Sequence, residues 1–574
     1  MNSFKDTQSG KPSIWVMTVL MATCLLLVGF WFIGKGSTFI DGQRVFTLFD
    51  DAMISMTYAR NLAHGHGLVW NAGESPVEGY TNPLWTIWLA FLHLSGLPDA
   101  QMGFLVSLSG LIILIANIFI VGLLTYNLSF KSRLATLTSI SLTTFCFPII
   151  FWTLRGMEVG LLSLLVNLIF LIIFNSIESS RKLPTGWLTL LIGALVLTRM
   201  DGIILILPLI YYEFRQPQKN LKNPIWISCV TGGIGTLVIL CISRKIYYGE
   251  WLPNTYYLKL TGVSGIIRWG RGFESLYSTF QTYLSIPVFL VLIAVIFSRK
   301  ISSSILCLIS FFIFQCIYSV HVGGDAWEWS GITNRYISVA LPILFVLCGW
   351  SIGTFSNWLS INKGSYSLTA YALIVGVFGL NLYLHGKDMR RVFWERAFEV
   401  ERDFDQSAIG LHFKKHVRIR ASAGVFSAGS FCYFSHLKCI DFLGKSDKYI
   451  ARLTPVGTDS FTPGHNKSDF NFTIKVLKPD IIIGLYSEQA LSDFLKQSSE
   501  PPRYLAMNQS IWLKEGLAWP KDLFNSSGIN NEKFSDDVLE IVVQLKKQME
   551  RNEAILSLKK QIKQFINPYI AYSG

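Results

Sequence analysis

Charge is scarce in this chain. Only 15% of its 574 residues are Asp, Glu, Lys or Arg, whereas 51% are hydrophobic, a ratio that one water-soluble core does not absorb. Soluble globular enzymes, disordered chains, collagens and disulfide scaffolds are excluded together. Zinc-type spacing is missing too, with no Cys-x-x-Cys and no paired Cys/His pattern. Cys24, Cys146, Cys229, Cys241, Cys307, Cys316 and Cys348 lie within apolar runs, where small soft side chains are ordinary packing. Only Cys432 and Cys439 lie in polar sequence, where a disulfide is open to them if that region is outside the cytoplasm. No Gly-x-x-x-x-Gly-Lys phosphate loop is present. Despite a net charge of +13, no basic stretch interleaved with aromatics forms a nucleic-acid groove, so no nucleic-acid partner is expected.

What is present is a series of apolar runs long enough to cross a bilayer. The first, about Ser13 to Gly34, follows Lys5 and Lys11 and is too long for a signal-peptide core, so it reads as an uncleaved anchor starting inside. Further spans are expected near 102–126, 134–153, 157–177, 225–243, 283–297, 303–320, 336–358 and 366–384. The stretch Trp187 to Tyr212 is broken by Arg199-Met200-Asp201-Gly202 and flanked by basic residues at both ends. Two short helices folded as a hairpin fit that pattern, with Arg199 and Asp201 at the outer turn.

The sum is about eleven spans, N-terminus inside and C-terminus outside. Lys131/Arg133, Arg181/Lys182, Arg215/Lys219/Lys222, Arg299/Lys300 and Lys363 then fall on the inner side. The loops 35–101, 244–282 and 321–335 fall outside, and Leu84–Leu97, rich in Trp85, Trp88 and His93, reads as an interfacial helix. A membrane domain 1–384 thus precedes a tail 385–574 of different material, charged and interrupted by Gly and Pro. Short apolar runs at Val425–Phe434, Cys439–Leu443 and Asp480–Leu485 alternate with helix-like segments such as Lys533–Ile566, which predicts an extracytoplasmic α/β domain.

Some polar residues are not explained by membrane insertion. Asp50 and Asp51 open a helical run in the first outer loop that ends near His64-Gly65-His66-Gly67. One of them suffices as an N-cap, which leaves a second acid at a membrane surface, where unpaired charge is expensive. A carboxylate there suits general-base attack on a sugar hydroxyl. Neighbours on a helix point about 100° apart, so the two acids take distinct jobs: one removes the proton, the other caps, orients or binds a divalent cation. Arg155 beside Glu158, Arg199 beside Asp201, Lys259, and Arg335 after Asp325 gather on the same outer side. Ion pairing or headgroup contact explains each singly; convergence beside an acid pair suits an anionic leaving group. His64-x-His66 lacks a third ligand and is a weak metal signal.

At this point the residues resemble a known group. Asp50-Asp51-Ala52-Met53-Ile54-Ser55, Tyr58-Ala59-Arg60-Asn61-Leu62, Gly65-His66-Gly67-Leu68-Val69-Trp70-Asn71 and Val77-Glu78-Gly79-Tyr80-Thr81-Asn82-Pro83 look like the opening signature of bacterial GT-C glycosyltransferases related to mycobacterial terminal arabinofuranosyltransferase. Tyr248-Gly249-Glu250-Trp251-Leu252-Pro253-Asn254-Thr255, Gly323-Gly324-Asp325 with Arg335-Tyr336, Leu443-Gly444-Lys445-Ser446-Asp447 and Pro463-Gly464-His465-Asn466-Lys467 extend the likeness over nearly the whole chain.

The resemblance implies a GT-C membrane fold, a polyprenyl-phosphate-linked sugar donor, an envelope glycan or glycolipid acceptor, and inverting transfer on the outer face of the cytoplasmic membrane. It implies Asp50 as base with Asp51 in support, and Arg155, Arg199, Lys259 and Arg335 on the donor phosphate. Tyr58, His66, Glu78, Tyr80, Asn82, Tyr256, Asp325 and His465 are the implied substrate contacts. The C-terminal domain would cover the outer opening and help hold acceptor. A transporter or flippase of a lipid-linked saccharide, or an envelope-polysaccharide polymerase or ligase, would share many spans and the lipid phosphate. A transporter needs neither the acid pair nor a large outer domain.

Overall fold

The computed structural model describes residues 13–179, 182–216, 224–298, 300–328, 334–361, 398–417, 421–457, 461–484, 491, 493–495, 502–506 and 511–517. Its compact units are two. One comprises residues 1–407, 428–433 and 443–468; the other comprises 408–427, 434–442 and 469–574.

The first unit is helical. Ser13 caps α1 (Ile14–Lys35) by accepting from Val16 N–H. A small hairpin, β1 (Ser37–Ile40) with β2 (Gln43–Phe46), then leads to α2 (Asp50–Ala63) and α3 (Pro83–His93). There follow α4 (Asp99–Leu128), α5 (Arg133–Thr144), α6 (Phe147–Leu154), α7 (Val159–Glu178), α8 (Thr185–Thr198) and α9 (Ile206–Phe214). The long apolar helix α10 (Ile225–Tyr248), the short α11 (Asn254–Leu260), and the apolar α12 (Gly265–Phe297), α13 (Ser303–Val322) and α14 (Leu341–Ile361) follow.

Among the described residues six helices, α1, α4, α7, α10, α12 and α13, are long and apolar enough to cross a bilayer alone, and a seventh span forms if α5 and α6 count together. Side chains such as Leu27, Ile239, Ile246 and Ile296 stand exposed along them, a surface suited to hydrocarbon rather than water. The chain is a multi-pass membrane protein. The remaining expected spans correspond to the shorter α8, α9 and α14, while 366–384 lies outside the described residues.

Two details differ from the sequence expectation. The run 134–153 is not one straight helix but α5 and α6, bent by 46° where Cys146-Phe147-Pro148 cannot continue the hydrogen-bond ladder. The expected outer loop 244–282 is largely helical, because α10 persists to Tyr248 and α12 begins at Gly265, well before residue 283. The basic residues Arg181, Lys219, Lys222, Arg299 and Lys363 lie outside the described residues.

The broken segment 185–214 enters and returns. Thr185, at the start of α8, accepts from Ser228 Oγ, and Glu213, at the end of α9, accepts from Ile225 N–H and Trp226 N–H. Both ends therefore meet one short stretch of α10, with Arg199 to Leu205 at the far turn. Gly202 lies so near Leu195 that a Cβ would collide with it.

The second unit holds a five-stranded sheet in the order β4-β3-β5-β7-β6. β3 (Ser422–Val425) pairs in parallel with β4 (Lys438–Asp441) and β5 (Ile481–Ile483), and β7 (Ile511–Lys514) runs antiparallel to β5 and to β6 (Tyr504–Ala506). Ile481, Ile482 and Ile483 are all buried, as expected for a central strand covered on both faces. The expected strand Val425–Phe434 stops at Val425, and Ser430–Ser435 is helical, because Ser427-Ala428-Gly429 interrupts the apolar run. Cys432 and Cys439 are disulfide-bonded, and the other seven cysteines form no disulfide among the described residues. The expected helix Lys533–Ile566 lies outside the described residues.

Candidate functional site

Neither aspartate caps its helix. The N-cap of α2 is Phe49, whose N–H donates to Arg155 O at 2.9 Å, so both acids fall inside the first turn, where the helix dipole favours negative charge. That anchoring to the backbone at Arg155 sets the register one residue away from the expected cap. Asp50 is buried, and its Oδ1 accepts from Ser430 N–H at 2.9 Å; Oδ2 accepts no hydrogen bond among the described residues. One oxygen is thus fixed while the other retains its lone pairs.

Asp51 faces cations. Lys445 Nζ lies 2.7 Å from Oδ1, and Arg335 Nη1 lies 2.9 Å from Oδ2. Burial alone would raise this carboxyl, but Lys445, Arg335 and Lys259 hold it well below the usual carboxylate range. Arg335 also reaches Asp325 Oδ2 through Nε at 3.1 Å and lies over the rings of Trp152 and Tyr336. It opens a helical turn capped by Asn334, whose amide is tied to Ser319 Oγ and Ser275 Oγ. Gly323, in the left-handed conformation at φ +86°, ends α13 and turns the chain toward Asp325. Lys259 makes no hydrogen bond or ion pair among the described residues. Burial and the Lys445 cation push the His465 imidazole down to about 3, so it is neutral at physiological pH. Asp51, Arg335, Lys259, Asp325 and His465 are thereby brought into one neighbourhood.

Arg155 does not join them. Its guanidinium donates to Thr47 O at 2.6 Å and Leu48 O at 3.1 Å and pairs with Asp403 at 3.0 Å, fully buried, which makes it a clamp on the chain entering α2. Arg199 is held by Glu158 and Asp201, each at 2.9 Å. Glu158 also accepts from Asn82 Nδ2 at 2.8 Å, and Asn82 accepts from Ser55 and Thr86. Arg199 and Arg335 line a small cavity of about 20 Å³ together with Glu158, Asp201, Gln315 and Tyr336.

The remaining expected contacts are dispersed. Glu78 is buried against Arg244 at 2.7 Å, Tyr80 OH meets Tyr248 OH at 3.0 Å, and Tyr58 OH donates to Val77 O at 2.7 Å. His66 and Tyr256 are exposed. Sequence reasoning missed Lys445, Arg244 and Asp403 as partners of functional residues. Lys445 stood within a quoted motif, but its partner is 394 residues away. Among the described residues no three of His, Cys, Asp and Glu converge as a metal site.

No family model matches the chain, and no curated protein matches it by sequence. Solved structures do. The oligosaccharyltransferase of Archaeoglobus fulgidus in the apo form aligns over 83% of this chain and 70% of its own, with TM-score 0.54 and 10% identity. The same archaeal enzyme, AglB, in complex with an inhibitory peptide and a dolichol-phosphate aligns over 82% of this chain and 70% of its own, with TM-score 0.52 and 9% identity. ArnT from Cupriavidus metallidurans bound to undecaprenyl phosphate aligns over 88% of this chain and 99% of its own, with TM-score 0.51 and 12% identity. Identities this low carry the fold and nothing finer. The chain has the GT-C membrane fold, with a sheet domain in its C-terminal part.

Proposed function

We propose that this protein is an inverting glycosyltransferase that moves a sugar from a polyprenyl-phosphate donor to an envelope glycan or glycolipid at the outer face of the cytoplasmic membrane. The observation that carries the reading is the acid pair opening α2. Asp50 has one anchored and one open oxygen, and the adjacent Asp51 is wrapped by Arg335 and Lys445. In the single displacement, Asp50 accepts the proton of the acceptor hydroxyl as that oxygen attacks the anomeric carbon. The electron pair of the breaking bond passes to the phosphate oxygen, where Arg335 and Lys259, unpaired among the described residues, meet the charge.

Several features support this reading. The GT-C neighbours include structures bound to undecaprenyl phosphate and to a dolichol-phosphate. A prenyl tail in hydrocarbon places its phosphate at headgroup depth, just beyond the end of α1 where α2 begins. The disulfide-bonded state of Cys432 and Cys439 suits an oxidising, extracytoplasmic compartment. The finer likeness to arabinofuranosyltransferases rests on the first-loop residue pattern. Mass spectrometry of envelope glycans from a deletion strain tests the whole: a missing residue restored by the wild-type gene and not by Asp50→Asn is expected, and an unchanged glycan profile refutes it.

A further inference from the structure

Lys445 reaches Asp51 from far along the chain, and the way it is delivered is informative. Residues 443–468 fold with the membrane-spanning unit, and a dense set of contacts ties them to residues 248–262. Asn254 Nδ2 donates to the carbonyls of Gly444, Lys445 and Asp447 at 2.9, 3.0 and 3.1 Å. Lys448 Nζ reaches Tyr248 O at 2.8 Å, Lys467 Nζ reaches Tyr257 O at 2.9 Å, and Arg452 pairs with Glu250 at 2.7 Å. The first loop supplies the seat: a Cβ on Gly79 would collide with Ser446 Oγ, to which Tyr58 OH reaches at 3.4 Å. A lysine backbone gripped this closely has its ammonium placed rather than left to sample solvent.

The charge it meets is already matched. Arg335 occupies Asp51 Oδ2, so Lys445 on Oδ1 is a second cation on one carboxylate. Lys259, unpaired among the described residues, adds a third to the same field. Asp325 pairs with Arg335. Three cations, Arg335, Lys445 and Lys259, thus gather at Asp51, which suits an anion.

We propose that Lys445 is a catalytic residue that binds the donor's phosphate, a role that rests on the glycosyl-transfer reading above. In that step the acceptor O–H bond breaks with its proton going to Asp50, the new O–C1 bond forms, and the C1–O bond to phosphate breaks. The phosphodiester monoanion becomes a phosphomonoester dianion. Lys445 keeps its own protons throughout and answers the negative charge that appears only as the sugar departs, which is where a cation accelerates rather than merely binds. Asp51 holds the ammonium ready before donor arrives.

The test uses full-length protein in detergent, with undecaprenyl phosphate and the uncharged undecaprenol as probes, alongside complementation of a deletion strain read by envelope glycan mass spectrometry. Lys445→Gln should weaken undecaprenyl phosphate binding about tenfold, as loss of a charge-assisted hydrogen bond does, and leave undecaprenol affinity unchanged. It should restore less than about a tenth of the glycan, whereas Lys445→Arg, which keeps the charge, restores most of it. Undecaprenyl phosphate affinity and complementation at wild-type level in Lys445→Gln overturn the role of Lys445 while leaving the glycosyltransferase reading intact. Equal loss in Lys445→Arg and Lys445→Gln, or loss of undecaprenol binding as well, marks a structural lysine and also overturns it. If the deletion changes no glycan and the wild-type protein prefers undecaprenol, the underlying reading falls, and this role with it.

Discussion

Around Arg199, two carboxylates, Glu158 and Asp201, hold one guanidinium; around Asp51, two cations, Arg335 and Lys445, hold one carboxylate. Both clusters are buried in the same helical unit, and Arg199 and Arg335 line the same cavity. Their opposite charge ratios separate their tasks. A cation overmatched by acids has nothing left for an incoming anion and serves to join α7 to the turn after α8. On the proposed reading, the cations around Asp51 offer positive field to a phosphate. The comparison also explains Arg155, whose Nη1 and Nη2 are taken by two backbone carbonyls and Asp403.

The comparison breaks first at the base. Asp50→Asn should lower transfer by about 10³-fold, in the range for loss of a general base, with membrane insertion and thermal midpoint close to wild type. Transfer at wild-type rate would remove Asp50 from the mechanism. Next comes the division between clusters. Arg199→Gln leaves Glu158 and Asp201 buried without their cation and should cost about 3–5 kcal/mol of stability, while donor KM of the folded fraction is unchanged. A raised donor KM with full stability would put Arg199 on the phosphate after all. Lys259→Met should do the reverse, raising donor KM about tenfold at unchanged melting temperature.

The smallest effect concerns Glu328, beside the Asp51 cluster through Asp325. Burial, then the Asp325 charge, raises its carboxyl to about 7, and it is paired with Arg271 at 3.3 Å. The folded chain thus keeps a proton there that the unfolded chain releases near 4.5, so its contribution is full below that pH and is lost as pH rises toward about 7. Melting curves of Glu328→Gln should show a flatter pH dependence between about 4.5 and 7 than wild type. An unchanged slope would place the titration elsewhere.

The spans were legible because long apolar runs report themselves one residue at a time, and the acid pair was legible because two adjacent carboxylates exceed what a cap requires. The expected hairpin at 187–212 followed from a basic flank at each end, and the two ends of the observed segment 185–214 meet α10 together. Partnerships were not legible. Lys445 and Asp51 are 394 residues apart, and nothing local marks one for the other. Arg155 bonds backbone carbonyls at Thr47 and Leu48, which have no side-chain signature, so it reads in sequence like any cation near an acid. Glu78 looked like a loop acid free for substrate because Arg244 sits inside an apolar run, 166 residues on.

The grouping of residues 443–468 with the helices has a practical corollary. A cut near position 385, where composition suggests a seam, would take Lys445, the partner of Asp51 Oδ1, away with the tail. The two halves of this polypeptide are consequently not exchangeable modules: swapping the distal half between relatives, or expressing the proximal half alone, would yield a membrane-inserted scaffold whose anion seat is missing one wall.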